Sequence, residues 1–84
     1  MQIISVTHAE TGWAVGSEAI EGPLVFRSGA KAEAAAKQLA RALVAAGDPV
    51  RIDIRLRNGK PGGRYLFDPE AAPGVAPLFQ PEPI

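Results

Sequence analysis

Five basic residues in the second half of this 84-residue chain have the spacing needed to bind phosphate groups. We name them the basic hairpin face: Arg51, Arg55, Arg57, Lys60 and Arg64. Side chains two apart on a strand share one face and lie roughly 7 Å apart, close to the phosphate spacing of a nucleic-acid strand. The group lacks the interleaved aromatic residues that single-strand binders use for base stacking. The alternative is an ordinary solvated face, because polar residues alternate outward in any one-sided antiparallel sheet.

Residue types used in catalysis are present, but they form no catalytic pattern. His8 could act as a general base, yet no nucleophile accompanies it in a defined motif. The serines lie outside any G-x-S-x-G sequence, and no phosphate-binding G-x-x-x-x-G-K-[ST] loop occurs. The lack of cysteine excludes a thiolate nucleophile and a cysteine zinc site. We therefore expect no catalytic residue, no metal, no cofactor and no small-molecule substrate.

The formal charge is zero, but it is unevenly distributed. Residues 1–26 carry three acids and no base, residues 27–64 carry nine bases and three acids, and residues 65–84 carry three acids and no base. Blocks of charge of this kind can steer partners, including nucleic acid. The alternative is that the acidic ends fold back over the basic middle.

The length predicts one small domain with a limited core. No segment approaches the ~20 apolar residues of a membrane span, and the N-terminus lacks the pattern of a signal peptide. With no cysteine to exploit an oxidising compartment, we expect a cytoplasmic protein and no membrane partner.

Three short strands are predicted before the helix. Residues 2–8 are rich in β-branched side chains, and residues 13–17 follow a turn, so the two segments predict a hairpin. Residues 24–27 form the third candidate strand. Trp13 is interpreted as a core anchor, with an exposed interface residue as the alternative.

The clearest element is a helix over residues 30–46, where alanine dominates. Ser28 is the expected N-cap, and Gly47 is the expected left-handed residue after the last turn. The predicted apolar face consists of Ala32, Ala35, Ala36, Leu39, Leu43 and Ala46. A face this rich in alanine predicts close packing on a sheet.

A C-terminal hairpin follows the helix. Residues 50–57 alternate apolar and polar side chains, and Asn58-Gly59 favours a two-residue turn. That turn pairs Arg57 with Lys60, and Pro61-Gly62-Gly63 is a candidate for a bulge. Counting outward, the expected partners are Asp53 with Arg64, in an ion pair, Ile52 with Tyr65, and Val50 with Phe67.

Residues 69–84 hold five of the eight prolines and are predicted to be an extended or disordered tail. The domain is therefore expected to span residues 1–68. Leu78, Phe79 and Ile84 could attach part of the tail to the domain or to a partner.

Several short motifs resemble a known family. They are Trp13-x-Val15, Lys31-x-Glu33-Ala34, Ile52-x-Ile54, Asn58-Gly59-Lys60 and Tyr65. The chain is similar to small bacterial domains of unknown function that have a W-x-V strand, a T-K-x-E-A helix start and a D-G-K hairpin. It departs from that pattern at Ala30 and Asn58. The resemblance covers roughly residues 3–67 and implies a compact α+β fold with no assigned activity, so it identifies no catalytic residue.

Together these features predict an α+β domain with an antiparallel sheet of four to five short strands packed on one helix. The expected function is a non-enzymatic interaction module that forms a homo-oligomer or binds a partner protein. The alternative is binding of a nucleic-acid phosphate backbone by the basic hairpin face.

Overall fold

The computed structural model describes residues 1–56, 59–71 and 76–81. Its elements in chain order are β1 (Gln2–Ala9), β2 (Gly12–Ser17), β3 (Leu24–Phe26), α1 (Gly29–Ala45), β4 (Val50–Arg55), β5 (Pro61–Phe67) and β6 (Leu78–Gln80). The strands form a single sheet in the order β3-β2-β1-β4-β5-β6, and α1 packs on it. The predicted α+β class, with one helix on one sheet, is confirmed.

The sheet differs from the prediction in strand number and in direction. It has six strands in the described part of the chain, and its central pair, β1 and β4, is parallel. The first three strands form a meander, so β3 has the direction of β1. The helix then returns the chain to the end where β1 begins, and β4 must run the same way. The prediction of a purely antiparallel sheet was therefore wrong. The alternation of side chains along a strand is the same beside a parallel or an antiparallel neighbour, so it could not indicate the direction of β4.

The core lies between the central strands and one stripe of the helix. Ile4, Val6, Val15, Val50 and Ile52 are the largest fully buried side chains. Three alanines at four-residue intervals face them with no exposed surface: Ala32, Ala36 and Ala40. Their small side chains let the helix backbone lie close to the sheet, as predicted. The predicted apolar face was wrong at its end, because Ala46 is the exposed C-cap, and it omitted Ala40.

Both ends of α1 are capped where the sequence indicates. The Ser28 Oγ atom accepts a hydrogen bond from the Lys31 backbone N–H at 3.2 Å. At the other end Gly47 has a φ of 97°. Its N–H donates to the Val44 carbonyl at 2.9 Å, and the Asp48 N–H donates to the Leu43 carbonyl at 3.1 Å. This is the Schellman arrangement, which satisfies the last carbonyls of a helix.

The inner register of the C-terminal hairpin agrees with the prediction. The predicted partners of Val50, Ile52 and Asp53 on β5 are confirmed. Near the turn, however, the Leu56 N–H donates to the Lys60 carbonyl at 2.9 Å, and Arg55 pairs with Pro61. These pairs are shifted by one residue from the predicted register. An irregularity between Ile54 and Arg55 restores that register, and it lies opposite the segment where a bulge was predicted. Arg57 and Asn58 lie outside the described residues.

Part of the proline-rich segment joins the sheet as β6 (Leu78–Gln80), which pairs antiparallel with β5. The Phe79 ring lies 4.9 Å from the Tyr65 ring, at an interplanar angle of 53°. Pro77 and Pro81 flank the strand, which suits an edge position because proline cannot donate to a ladder. Ile84 lies outside the described residues, and the domain boundary at residue 68 stays a prediction.

Candidate interaction surface

The topology separates charge along the strand direction. The loops at the end where β1 and β4 begin carry Glu18, Glu21, Asp48, Asp68 and Glu70, and we name this the acidic end. Among the described residues, the opposite end carries Arg27, Lys31, Arg55 and Lys60, together with one acid, Glu10, and we name it the basic end. The charges of the described residues are therefore dipolar, with the two poles at opposite ends of the sheet.

Three members of the basic hairpin face come together on the sheet face opposite the helix. Arg51 and Arg55 alternate with the inward-facing residues of β4, and Arg64 lies on β5 directly across from Asp53. With Asp53 and neighbouring backbone they line a groove of about 340 Å³. Among the described residues that line the groove there are three guanidinium groups and one carboxylate, and such an excess of positive charge suits an anionic ligand.

Asp53 makes its ion pair along its own strand. The Arg51 Nε atom lies 3.0 Å and 3.2 Å from the two carboxylate oxygens. The two side chains are 31% and 35% exposed. Asp53 thus pairs with Arg51, and the predicted ion pair of Asp53 with Arg64 stays a prediction. An ion pair this accessible contributes only about 0–1 kcal/mol to stability, so it leaves Arg51 available to an incoming anion.

Lys60 is not among the described residues that line this groove. Lys60 is exposed and follows the hairpin turn at the basic end. Arg57 lies outside the described residues.

A second polar cluster joins the helix to β5. The Lys37 Nζ atom lies 3.5 Å from a Glu33 carboxylate oxygen and 4.4 Å from the centre of the Tyr65 ring. Hydrogen bonding to Glu33, assisted by burial, raises the pKa of the Tyr65 hydroxyl above its ordinary value of 10.0. This cluster lies on the helix-covered side of the sheet, away from the arginine groove.

Trp13 is partly buried and packs against the core. It packs against the buried cluster, and its ring meets the His8 ring edge-on at a centroid distance of 4.9 Å. A Cβ atom at Gly29, the first helical residue, would lie 3.1 Å from the Trp13 Cε2 atom. Trp13 therefore packs against the start of the helix, and the core-anchor interpretation is confirmed.

The sheet leaves apolar surface uncovered at its two edges. Among the described strand residues, the exposed large apolar side chains are Leu24 and Val25 on β3, Leu78 and Phe79 on β6, and Ile3 on β1. Val25 is the most exposed of them, at 66%. This surface could not be predicted from the sequence, because three-residue strands are too short to show a clear alternation.

Comparison with known proteins identifies no relative: no family model, no curated protein and no solved structure matches this chain. The resemblance to the small bacterial family stays a prediction. No helix within residues 1–56, 59–71 and 76–81 is long and apolar enough to cross a membrane. Over the same ranges, no three His, Cys, Asp or Glu side chains are grouped so that they could hold a metal ion.

Proposed function

We propose that this protein is a small, non-enzymatic interaction module that associates with a second copy of itself through an edge of its sheet. The observation that carries the proposal is the placement of exposed apolar side chains. Four of the five exposed large apolar residues in the described strands lie on the two edge strands. Edge strands also present unpaired backbone groups, which are a template for another strand.

Charge favours the same association. When two copies pair edge to edge in an antiparallel sense, the basic end of one lies beside the acidic end of the other. Opposite charges then meet on both sides of the contact, which favours this orientation and opposes the parallel one. Burial of Leu24 and Val25 in the contact would further stabilise the dimer, since apolar burial contributes about 25 cal/mol per Å².

Sedimentation equilibrium of the full chain tests self-association. The average mass should rise from that of the 8.8 kDa monomer towards twice that value as the protein concentration increases. Added salt should weaken the association, because part of the attraction is between exposed charges. A monomer at every concentration and salt level would contradict the proposal.

A second candidate function, binding of a nucleic-acid phosphate backbone, is favoured by one specific observation. This is the groove lined by Arg51, Arg55 and Arg64, in which Asp53 is the one acid among the described lining residues. Guanidinium groups bind phosphates in bidentate geometry, and affinity from such contacts falls steeply as salt is raised.

Fluorescence anisotropy with labelled single-stranded and duplex oligonucleotides tests this candidate. Arg55→Ala should weaken binding and reduce the salt dependence, whereas Asp53→Ala should strengthen binding by removing the acid from the groove. Arg41→Ala is the matched control, because Arg41 is an exposed arginine on the helix. Failure to bind either oligonucleotide at low salt would exclude the candidate. The cytoplasmic location expected from the cysteine-free sequence stays a prediction.

A further inference from the structure

We propose that the self-associating surface is the β3 edge, and that two copies pair their β3 strands antiparallel about a two-fold axis at Val25. The proposal rests on the proposed self-association and adds its location, partner and register. In this register Val25 faces the second copy's Val25, and Leu24 faces the second copy's Phe26. The two sheets then form one continuous sheet, with both helices on the same side.

The direction of the β3 backbone supports this pairing. The Phe26 carbonyl oxygen abuts the position that a Cβ atom on Gly12 would occupy, so this carbonyl points towards β2. Successive residues of a strand direct their backbone groups to opposite sides. The N–H and C=O groups of Val25 therefore point away from β2, outward from the edge of the sheet. There they can form a reciprocal pair of hydrogen bonds with the second copy's Val25.

The other edge is blocked by proline. The Gln80 carbonyl oxygen lies 3.1 Å from the position of a Cβ atom on Gly63, so it points towards β5, and Phe79 directs its backbone groups outward. The next residues along the chain whose backbone groups would point outward are Pro77 and Pro81, which flank β6, and neither has an N–H to donate. The corresponding residues that flank β3 are Pro23 and Arg27, so the Arg27 N–H is one further donor on this edge. The β3 edge is the better template for an added strand.

The side chains around β3 are self-complementary under a two-fold axis. Leu24 is 46% exposed and Val25 is 66% exposed, and both gain an apolar neighbour across the axis. Arg27 falls opposite the second copy's Pro23, two residues from its Glu21, and the reciprocal pair forms on the other side. The contact is smaller than the roughly 1,200 Å² buried in stable interfaces, so the dimer should dissociate on dilution.

Val25→Pro tests the backbone pairing. Proline is tolerated on an edge strand where the N–H faces outward, so the fold should persist, as checked by circular dichroism. The substitution removes the central donor from both copies, and self-association measured by sedimentation should weaken by about tenfold or more. Leu78→Lys is the control, because it alters an exposed aliphatic residue on the opposite edge strand and should leave the association unchanged.

Charge reversal tests the register without altering the backbone. Arg27→Glu and Glu21→Arg should each weaken self-association, because each places like charges beside each other across the axis. The double variant should restore it, since opposite charges face each other again. A general effect on folding would not be rescued in this way.

The outcomes separate the two proposals. A wild-type chain that stays monomeric overturns self-association and the β3 pairing together. If the wild type dimerises and Leu78→Lys weakens the dimer while Val25→Pro does not, self-association stands and the β3 pairing is wrong. Lack of rescue by the double charge variant also contradicts the proposed register.

Discussion

Val25 and Phe79 occupy equivalent positions on opposite edges of the sheet. Each is the middle residue of a three-residue strand and directs its backbone N–H outward. Their flanks differ, because Phe79 lies between two prolines in the outward positions whereas Val25 has Pro23 on one side and Arg27 on the other. The molecule thus protects one edge against strand addition and leaves the other open to it.

The close approach of the helix to the sheet predicts that Ala36→Leu destabilises the fold. Ala36 has no exposed surface and lies in the middle of the buried alanine stripe, so extra methylene groups would push the helix off the sheet. We expect a loss of about 1–3 kcal/mol in the free energy of unfolding, measured by urea denaturation.

Ala34→Leu is the matched control, because Ala34 is exposed on the same helix. Its effect should stay within about 0.5 kcal/mol. Equal effects of the two substitutions would show that the helix does not pack on the sheet through the alanine stripe.

Gly63→Ala should displace the Phe79 ring as well as strain the backbone. Gly63 has a φ of 113°, and a Cβ atom there would lie 2.8 Å from the Phe79 Cζ atom. Gly47→Ala is the control, because Gly47 has a φ of 97° with open space around it and so suffers strain alone.

Backbone strain should lower the free energy of unfolding of both glycine variants by about 1 kcal/mol or more. Gly63→Ala should lose more, and nuclear magnetic resonance should show the Phe79 ring leaving Tyr65. Equal losses with an intact ring contact would contradict the packing of β6.

Tyr65 should titrate above its ordinary pKa of 10.0, and Glu33→Ala should lower that pKa. The carboxylate of Glu33 favours the protonated hydroxyl, while Lys37 acts in the opposite direction and remains in the variant. Since Tyr65 is the only tyrosine, the ultraviolet absorbance of tyrosinate reports it directly.

The same shift gives the pH dependence of stability. A raised pKa in the folded state contributes stability that is fully present below pH 10.0 and is lost as the pH rises through the folded-state value. Glu33→Ala should therefore remove a contribution at neutral pH and flatten the loss at alkaline pH. An unchanged tyrosinate titration in the variant would show that Glu33 does not contact the hydroxyl.

The sequence predicts the local elements well, because their signals are local. Ser28 and Gly47 cap the helix as their residue types indicate. The partners of Val50 and Ile52 were also predicted, but for an incomplete reason. The bond from the Leu56 N–H to the Lys60 carbonyl shifts the pairing by one residue from the predicted register, and the irregularity between Ile54 and Arg55 restores it. Two deviations of opposite sign leave the inner register unchanged.

Long-range features could not be predicted in this way. The parallel pairing of β1 and β4 depends on where the helix returns the chain, and no residue of either strand encodes it. The dipole arises because loops distant in sequence meet at the same end of the sheet. The grouping of Arg51, Arg55 and Arg64 was predicted, since it needs only strand alternation and one hairpin.

The most direct test of edge-to-edge self-association is amide hydrogen exchange of the wild-type chain at low and high protein concentration. The β3 pairing predicts that the Val25 amide becomes protected as concentration rises, because it gains a hydrogen bond to the second copy. The Phe79 amide serves as an internal reference, and its exchange rate should not change. Exchange at Val25 that is independent of concentration, in samples where sedimentation shows a dimer, would contradict the account.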